Sequence, residues 1–244
     1  FLYYPMILTH CPFSPTPDSP EWIEDDTSVY TYKGNAQYFE DMMSETDKIV
    51  GAFNNKLKEL GIEDNTLVIF TGDNGTDVPI ISTMNGRKVA GAKWKSTDAG
   101  TRVPLVIKWP EMVKSNAVCS DLIDFSDFFP TICEAASVEI PESLDIDGVS
   151  FQAQLEGKTG QPREWVYNWF SRSGEESKAR VFARNHRFKL YESGEFYEIP
   201  EDYEEQNALE FEGLNADAKS VYLTLKDVLE QNKKRRLDLI PVVR

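Results

Sequence analysis

The hydrophobic positions of the chain form continuous apolar runs in its first half and short alternating runs in its last third. The run at residues 67–70 is short and bounded by turn residues, which predicts a fully buried strand of a parallel sheet. Residues 1–8 and 103–107 have the same character and predict two further strands. This half of the chain therefore indicates a sheet that is covered on both faces.

Between residues 35 and 60 the apolar positions recur at helical spacing and leave one face to be buried. Gly61 follows the last of them as a natural helix stop. A helix between two strands makes a strand–helix–strand unit, so the pattern predicts the α/β class. The helical apolar positions are Phe39, Met42, Met43, Thr46, Ile49, Val50, Phe53, Leu57 and Leu60.

Residues 121–136 have the pattern of a loop that enters a helix, and residues 145–149 that of a turn before a short helix. Asp121, Asp124 and Asp127 recur at a spacing of three, which would suit either a metal site or a helix start. Helix capping and the helix dipole explain the three aspartates more simply. We therefore predict that they stabilise the start of a helix.

A polar, glycine-rich and proline-terminated stretch at residues 156–162 is the best candidate for a domain boundary. We predict an α/β domain over residues 1–160 and a C-terminal subdomain over residues 161–244. The subdomain has alternating, aromatic-rich runs typical of an antiparallel meander, followed by a helix. The runs are residues 165–170, 179–184, 188–191 and 195–199, and the helix is predicted over residues 215–231.

The charge of the chain narrows the range of partners. The 244 residues include 26 Lys and Arg and 41 Asp and Glu, for a formal net charge of −15. This excess argues against nucleic acid or an anionic membrane surface as the main partner. No apolar run approaches the ~20 residues of a membrane span. Three widely spaced cysteines imply no disulfide framework.

Candidate chemistry lies on the two loops that flank residues 76–91. Asp73 and Asn74 directly follow the strand predicted at residues 67–70, and their oxygens would suit Ca²⁺ or Mg²⁺. The same residues are equally consistent with a tight turn or, at Asn74, a glycosylation sequon. Lys93 lies on a basic loop that could bind an anion or be merely solvated.

His10 follows the strand predicted at residues 1–8 and precedes a loop with four prolines. A lone histidine is more often a structural hydrogen-bonding group than a catalytic one, and the residues alone favour that interpretation. Cys11 begins the sequence C-P-F-S-P, which lacks the arginine and the proline spacing of a modified-cysteine nucleophile motif. Cys11 is therefore predicted to be an unreactive loop cysteine.

Nearly the whole chain resembles the sulfatase family of the alkaline-phosphatase-like superfamily. The sequence LGIEDNTLVIFTGDNG at residues 60–75 is similar to the family's metal-binding strand and loop. GAK…GTRVP at residues 91–104 is similar to its lysine loop, usually G-x-K-x-x-x-x-E-G-G-x-R-x-P. Later landmarks include RFKL at residues 187–190 and FYE at residues 196–198. The resemblance implies a mostly parallel sheet flanked by helices, of which this chain would form the second half.

The resemblance also implies a role for each candidate residue. Asp73 and Asn74 would be two ligands of a divalent cation, usually Ca²⁺. Lys93 would contact a sulfate oxygen, and His10 would contact the sulfate and protonate the leaving alcohol, which reverses its structural interpretation. These roles place a cation, a fixed positive charge and an acid where negative charge develops.

Departures from the family pattern qualify this expectation. The family's nucleophile is a formylglycine made from C/S-x-P-S-R, a motif that does not occur in this sequence, and Asp98-Ala99 replaces the usual Glu-Gly. The chain is therefore expected to be the C-terminal part of a sulfatase, inactive towards sulfate esters alone and binding its cation weakly. Self-association through an exposed sheet edge is also expected. The alternatives are a phosphodiesterase or phosphonate hydrolase of the same superfamily, and a catalytically dead binding or structural domain.

Overall fold

The computed structural model describes residues 1–24 and 33–236. Contacts divide the chain into two compact units. The first comprises Phe1–Lys95 and Ala99–Glu111, and the second comprises Ser96–Asp98 and Met112–Arg244. The boundary predicted between residues 160 and 161 falls within the second unit and stays a prediction about domain organisation.

The first unit is built around one long helix, α1, at Phe39–Glu59, which confirms the helix predicted from the apolar spacing. A short 3₁₀ turn at Ala36–Tyr38 precedes it, and the Asn35 side chain caps that turn by accepting a hydrogen bond from the Gln37 amide. Met42 on α1 is buried in the core. The local periodicity was sufficient to predict this element because one face of the helix is apolar.

Short strands follow α1 in the first unit. They are β1 at Val68–Thr71, β2 at Ile81–Met84, β3 at Arg87–Ala90 and β4 at Leu105–Lys108. A short helix, α2, at Asp98–Thr101 lies between β3 and β4. β1 pairs with β4, and β2 pairs with β3, in both cases antiparallel.

Two expectations for these strands are wrong in detail. Residues 1–8 form no strand, and Phe1, Leu2 and Ile7 are largely exposed. β1 is half-buried and runs antiparallel to its partner, although its apolar run had indicated full burial in a parallel pair. An apolar run indicates only a tendency to be buried; strand formation and direction depend on which distant segment supplies the hydrogen bonds.

The second unit begins with a capped helix. Asp124 and Asp127 form a capping box around the turn at Phe125–Asp127, which leads into α3 at Phe128–Ala135. The prediction that these aspartates stabilise a helix start is confirmed for Asp124 and Asp127. The Asp121 side chain instead accepts a hydrogen bond from Gln154 Nε2 at 3.2 Å. The short helix predicted near Leu155 is α4, at Gln152–Leu155.

The remainder of the second unit is an antiparallel meander with a helix packed against it, as predicted. The strands are β5 at Val166–Phe170, β6 at Arg180–Arg184, β7 at Phe188–Tyr191 and β8 at Phe196–Glu198, in the order β5-β6-β7-β8. Helix α5, at Ala216–Arg235, is capped by Asn215, whose side chain accepts a hydrogen bond from the Ala218 amide. The shared core consists of Val181, Ala183, Phe188, Leu190, Phe196, Ala218, Leu225, Val228 and Leu229.

Candidate functional site

The loop that follows β1 carries the two predicted cation ligands. Asp73 is exposed and Asn74 is half-buried. Gly75 donates its amide to the Gly100 carbonyl at 2.9 Å, which packs this loop against the segment that ends the lysine loop. A Cβ at Gly75 would lie 1.9 Å from the Ala99 carbonyl oxygen, so the close approach requires glycine here.

Lys93 lies beside the same loop. Its amide donates to the Thr76 carbonyl at 3.0 Å, so its backbone is joined to a residue only two positions after Asn74. Gly91 permits this pairing, since a Cβ there would lie 1.9 Å from the Asp77 carbonyl oxygen. The Lys93 side chain is half-buried, and its Nζ is 5.4 Å from the centroid of the Trp94 ring.

His10 lies in a turn, where its amide donates to the Ile7 carbonyl at 2.8 Å. Its side chain is exposed, with Nδ1 at 2.6 Å from the Cys11 carbonyl oxygen. A carbonyl oxygen can only accept, so this contact requires the proton on Nδ1. Nε2 is then the ring nitrogen left for another partner.

Asp77 is a buried carboxylate that the sequence did not single out. It is 8% exposed, and Lys33 Nζ donates to its Oδ2 at 2.5 Å. Burial raises the pKa of Asp77, but hydrogen bonds from Lys33, the Val78 amide and the Cys11 thiol outweigh it, so the pKa lies below its usual value. Asp77 therefore links Cys11, the neighbour of His10, to the loop that carries Asp73.

A small apolar cluster supports these contacts. Cys11 and Phe13 from the loop after His10 pack with Met42 of α1 and with Ile80, at the end of the loop after β1. Phe13 is 1% exposed, and its ring meets that of Phe39 edge to face at 5.8 Å between centroids. The cluster holds the His10 loop, α1 and the Asp77 segment together through burial of apolar area.

The first unit thus connects the three segments that carry the predicted site residues, through Thr76 and Asp77. Over residues 1–24 and 33–236, no group of three or more His, Cys, Asp or Glu side chains could hold a metal ion. The same residues include no helix long and apolar enough to cross a membrane.

Ser96 and Asp98, which follow Lys93 within the lysine loop, belong to the second unit and are buried there. Lys189 Nζ donates to the Ser96 carbonyl, and the Ser96 hydroxyl is 2.9 Å from the Tyr191 hydroxyl. Arg184 Nη1 donates to Asp98 Oδ1 at 2.6 Å. The aspartate that departs from the family pattern is therefore itself buried and has the half-buried Arg184 as its partner.

Lys189 is fully buried and paired. Its Nζ lies 2.7 Å from Glu205 Oε1 and 3.8 Å from the centroid of the Phe182 ring. Burial lowers the pKa of Lys189 to about 8, although the negative charge of Glu205 acts in the opposite direction. Burial and the Glu205 carboxylate both raise the pKa of the Tyr191 hydroxyl, which donates to Glu205 Oε2 at 2.5 Å.

Comparison with known families gives two overlapping matches. The family described as Sulfatase matches residues 1–138. The family described as N-sulphoglucosamine sulphohydrolase, C-terminal, matches residues 93–235. Together they cover residues 1–235.

Two curated relatives match long stretches of the chain. Human steryl-sulfatase is 31% identical over 137 residues, which cover 52% of this chain and 23% of that protein. N-acetylglucosamine-6-O-sulfatase of Bacteroides thetaiotaomicron is 27% identical over 223 residues, covering 84% of this chain and 37% of that protein. The chain therefore spans well under half the length of these relatives.

A solved structure confirms the fold class. BT4656, in complex with its substrate D-glucosamine-2-N,6-O-disulfate, matches with a TM-score of 0.60 at 24% sequence identity. The match covers 84% of this chain and 40% of that one. It confirms the expected alkaline-phosphatase-like α/β class for the part of the fold that the chain represents.

Proposed function

The chain belongs to the sulfatase family, and we propose that its residues bind and help to cleave a sulfate ester. The observation that carries the proposal is the 3.0 Å hydrogen bond from the Lys93 amide to the Thr76 carbonyl. It joins the loop with the cation-binding oxygens to the loop with the fixed positive charge. Cleavage of a sulfate ester needs both the cation and the fixed positive charge, because they balance the negative charge that develops as the S–O bond breaks.

Asp73 and Asn74 are the proposed ligands of a divalent cation, with Ca²⁺ favoured over Mg²⁺. Sulfatases generally use a metal ion and a formylglycine. The donor set fits a hard cation, because a carboxylate and a carboxamide supply oxygen. Ca²⁺ takes six to eight oxygens, so two side chains make a weak site in this chain. When bound, the cation would withdraw negative charge from the sulfate oxygens.

Lys93 and His10 are the proposed sulfate-binding groups. The Lys93 ammonium is a compact positive charge that can donate to a sulfate oxygen without giving up its proton. Nδ1 of His10 is held against the Cys11 carbonyl oxygen at 2.6 Å, so Nε2 would carry the proton donated to the leaving alcohol when the ring is charged. The formylglycine of the family would supply the attacking oxygen, and no C/S-x-P-S-R motif in this sequence provides one.

The substrate class proposed is a sulfated saccharide. One relative is named for an N-acetylglucosamine sulfate ester and one matched structure holds a disulfated glucosamine. The matches to sulfatases do not favour a phosphodiesterase or phosphonate hydrolase. They also provide no argument for a dead binding domain.

Binding of 4-nitrophenyl sulfate in the presence of Ca²⁺ tests the roles of the site residues. Amide resonances of Asn74 and Lys93 should shift in NMR spectra as the ligand is added. Lys93→Ala should weaken binding by tenfold or more, about the value of a hydrogen bond to a charged group. Lys95→Ala, two residues away, is the matched control and should change affinity less than about twofold. Equal losses in both variants would refute the assignment of Lys93.

Calorimetry with Ca²⁺ tests the cation site. We expect a dissociation constant of ~1 mM or weaker, at the weak end of protein calcium sites, and a further loss in Asp73→Asn. A micromolar constant, or one unchanged in Asp73→Asn, would contradict a two-oxygen site at this loop. The chain by itself should show no hydrolysis of 4-nitrophenyl sulfate, and clear turnover would refute that expectation.

Self-association through a sheet edge is part of the same proposal. Within the described residues β1 pairs only with β4, so each strand has an outer edge that no described strand covers. Open edges of this kind can pair with a second chain. Sedimentation velocity at two protein concentrations tests this, and a monomer at both concentrations would refute it.

A further inference from the structure

The β2–β3 hairpin is the segment that connects the two candidate loops. It leaves the first loop after Asp77 and returns to the second just before Lys93. Ile81 pairs with Ala90 at its base and Met84 with Arg87 at its tip. The turn between the strands is Asn85-Gly86, with positive φ at both residues, as in the common two-residue hairpin turn. Any displacement of this hairpin would therefore shift both loops.

The base of the hairpin is anchored, whereas its strands are exposed. Ile80 is 5% exposed within the cluster of Cys11, Phe13 and Met42, and its carbonyl accepts from the Gly91 amide at 2.8 Å. Beyond this point all of β2 is exposed, as is all of β3 except Val89, which is half-buried. Most residues of both strands thus lie at the surface.

The charge of this region differs from that of the whole chain. Residues 78–97 contain no Asp or Glu but four cations, Arg87, Lys88, Lys93 and Lys95. The chain as a whole carries a formal charge of −15. A local cationic segment in an acidic protein attracts an anion to one place and repels it elsewhere.

Each face of the hairpin combines a cation with groups that suit a sugar. Residues directly opposite each other in an antiparallel pair share a face. Arg87 therefore lies beside Met84 on one face, and Lys88 lies beside Thr83 on the other. A cation can bind an anionic substituent, while a hydroxyl and an apolar side chain can contact the hydroxyls and the carbon face of a sugar ring.

We propose that the β2–β3 hairpin is a specificity element that binds a second anionic group of a polyanionic saccharide, a sulfate or a carboxylate, through Arg87 or Lys88. This inference rests on the proposed function, in which the sulfate to be cleaved lies at Lys93. Lys88 lies three residues before Gly91, where the lysine loop begins, and three residues span ~10 Å along an extended strand. The second anionic group would therefore lie on a sugar next to the one whose sulfate lies at Lys93.

The test compares two keratan disaccharides, whose shared backbone has no carboxylate and which carry one sulfate or one sulfate on each sugar. NMR titration at fixed ionic strength maps the amides that shift, and calorimetry gives the affinities. The disulfated ligand should bind about two- to fivefold tighter, as expected for one exposed charge contact. In Arg87→Gln/Lys88→Gln this gain should disappear. Lys219→Gln/Lys226→Gln on α5 removes the same total charge and should retain it.

The outcomes separate this inference from the proposed function. Shifts at Asn74 and Lys93 with both ligands, and at β3 with the disulfated one, would support both. Shifts at Asn74 and Lys93 alone, with equal affinities, would overturn the hairpin assignment and leave the sulfate site. Shifts at β3 alone would support the hairpin and count against the sulfate site. No shifts with either ligand, or an equal loss of the gain in the α5 variant, would overturn the inference.

Discussion

The Lys93 amide donates to the Thr76 carbonyl at 3.0 Å, and this bond joins the lysine loop to the Asp73-Asn74 loop. The two segments are separated in sequence by the whole β2–β3 hairpin. Gly91 makes the bond possible, because a side chain at this position would collide with the Asp77 carbonyl oxygen. The geometry of the candidate site thus depends on Gly91, which has no side chain to bind a ligand.

Gly91→Ala should separate the two loops. Its Cβ would lie 1.9 Å from the Asp77 oxygen, so the backbone must move. We expect a loss of ~1–3 kcal/mol in the free energy of unfolding, typical of overpacking, and faster hydrogen exchange at the Lys93 amide. Gly51→Ala within α1 is the control: nothing lies within 4 Å of its Cβ, and alanine favours a helix. Unchanged exchange at Lys93 in Gly91→Ala would contradict this explanation.

The buried pair Lys189–Glu205 should be strongly coupled. Removing one partner leaves a buried charge unpaired, which costs ~3–5 kcal/mol, so Lys189→Met and Glu205→Gln should each destabilise the chain. The double variant should lose less than the sum of the two. Urea unfolding of all four forms measures the coupling. The exposed pair Lys226–Glu230, 4.0 Å apart on α5, is the control and should show a coupling near zero. Additive losses at Lys189 and Glu205 would contradict the pairing.

Stability should depend on pH through Lys189. Its pKa is lowered from 10.5 to about 8 in the folded chain. Between pH 8 and about 10 the unfolded chain therefore binds more protons, and the free energy of unfolding rises with pH. Below pH 8 both states are charged and the cost of burial is fully present. Above pH 10 the raised pKa of Tyr191 acts in the opposite direction.

The pH effect is measured as the difference in unfolding free energy between wild type and Lys189→Met. That difference should move in favour of the wild type from pH 8 towards pH 10, by at most ~1.4 kcal/mol per pH unit. A comparison with Lys226→Met controls for general effects of charge, since Lys226 is exposed on α5. A difference that stays constant over this range would contradict a lowered pKa.

Asp127 should matter far more than Asp121, although both belong to the same series of aspartates. Asp127 is 1% exposed, pairs with Arg163 through both carboxylate oxygens, and accepts from the Asp124 and Val149 amides. Asp127→Asn should cost ~3 kcal/mol, as expected for breaking a buried ion pair. Asp121→Asn should cost well under ~1 kcal/mol. Thermal unfolding distinguishes them, and similar losses would contradict the capping assignment.

The local pattern of apolar residues was sufficient to predict an element where residues close in sequence stabilise it. The apolar spacing of residues 35–60 predicted α1, and the alternation after residue 165 predicted the meander and α5. The loop with Asp73 and the loop with Lys93 were also recognisable, because a family's binding loops keep their residue types in order. The roles of these residues in the site remain predictions.

The tertiary structure decided what depends on partners far apart in the chain. Residues 1–8 are as apolar as a buried strand, yet they are largely exposed because no described strand pairs with them. Asp77 became a buried, low-pKa carboxylate only through Lys33, 44 residues away, and the Cys11 thiol. Lys189 is buried because a carbonyl 93 residues away accepts from it.

The amino-acid sequence by itself therefore determined the helices, the meander, the family and the loops that carry the candidate ligands. Periodicity and capping act over a few residues, and sequence reports them directly. Strand pairing, burial of charge and the junction of Thr76 with Lys93 required the folded chain. Hydrogen bonds and ion pairs between distant segments have no local signature, because each exists only when folding brings its two partners together.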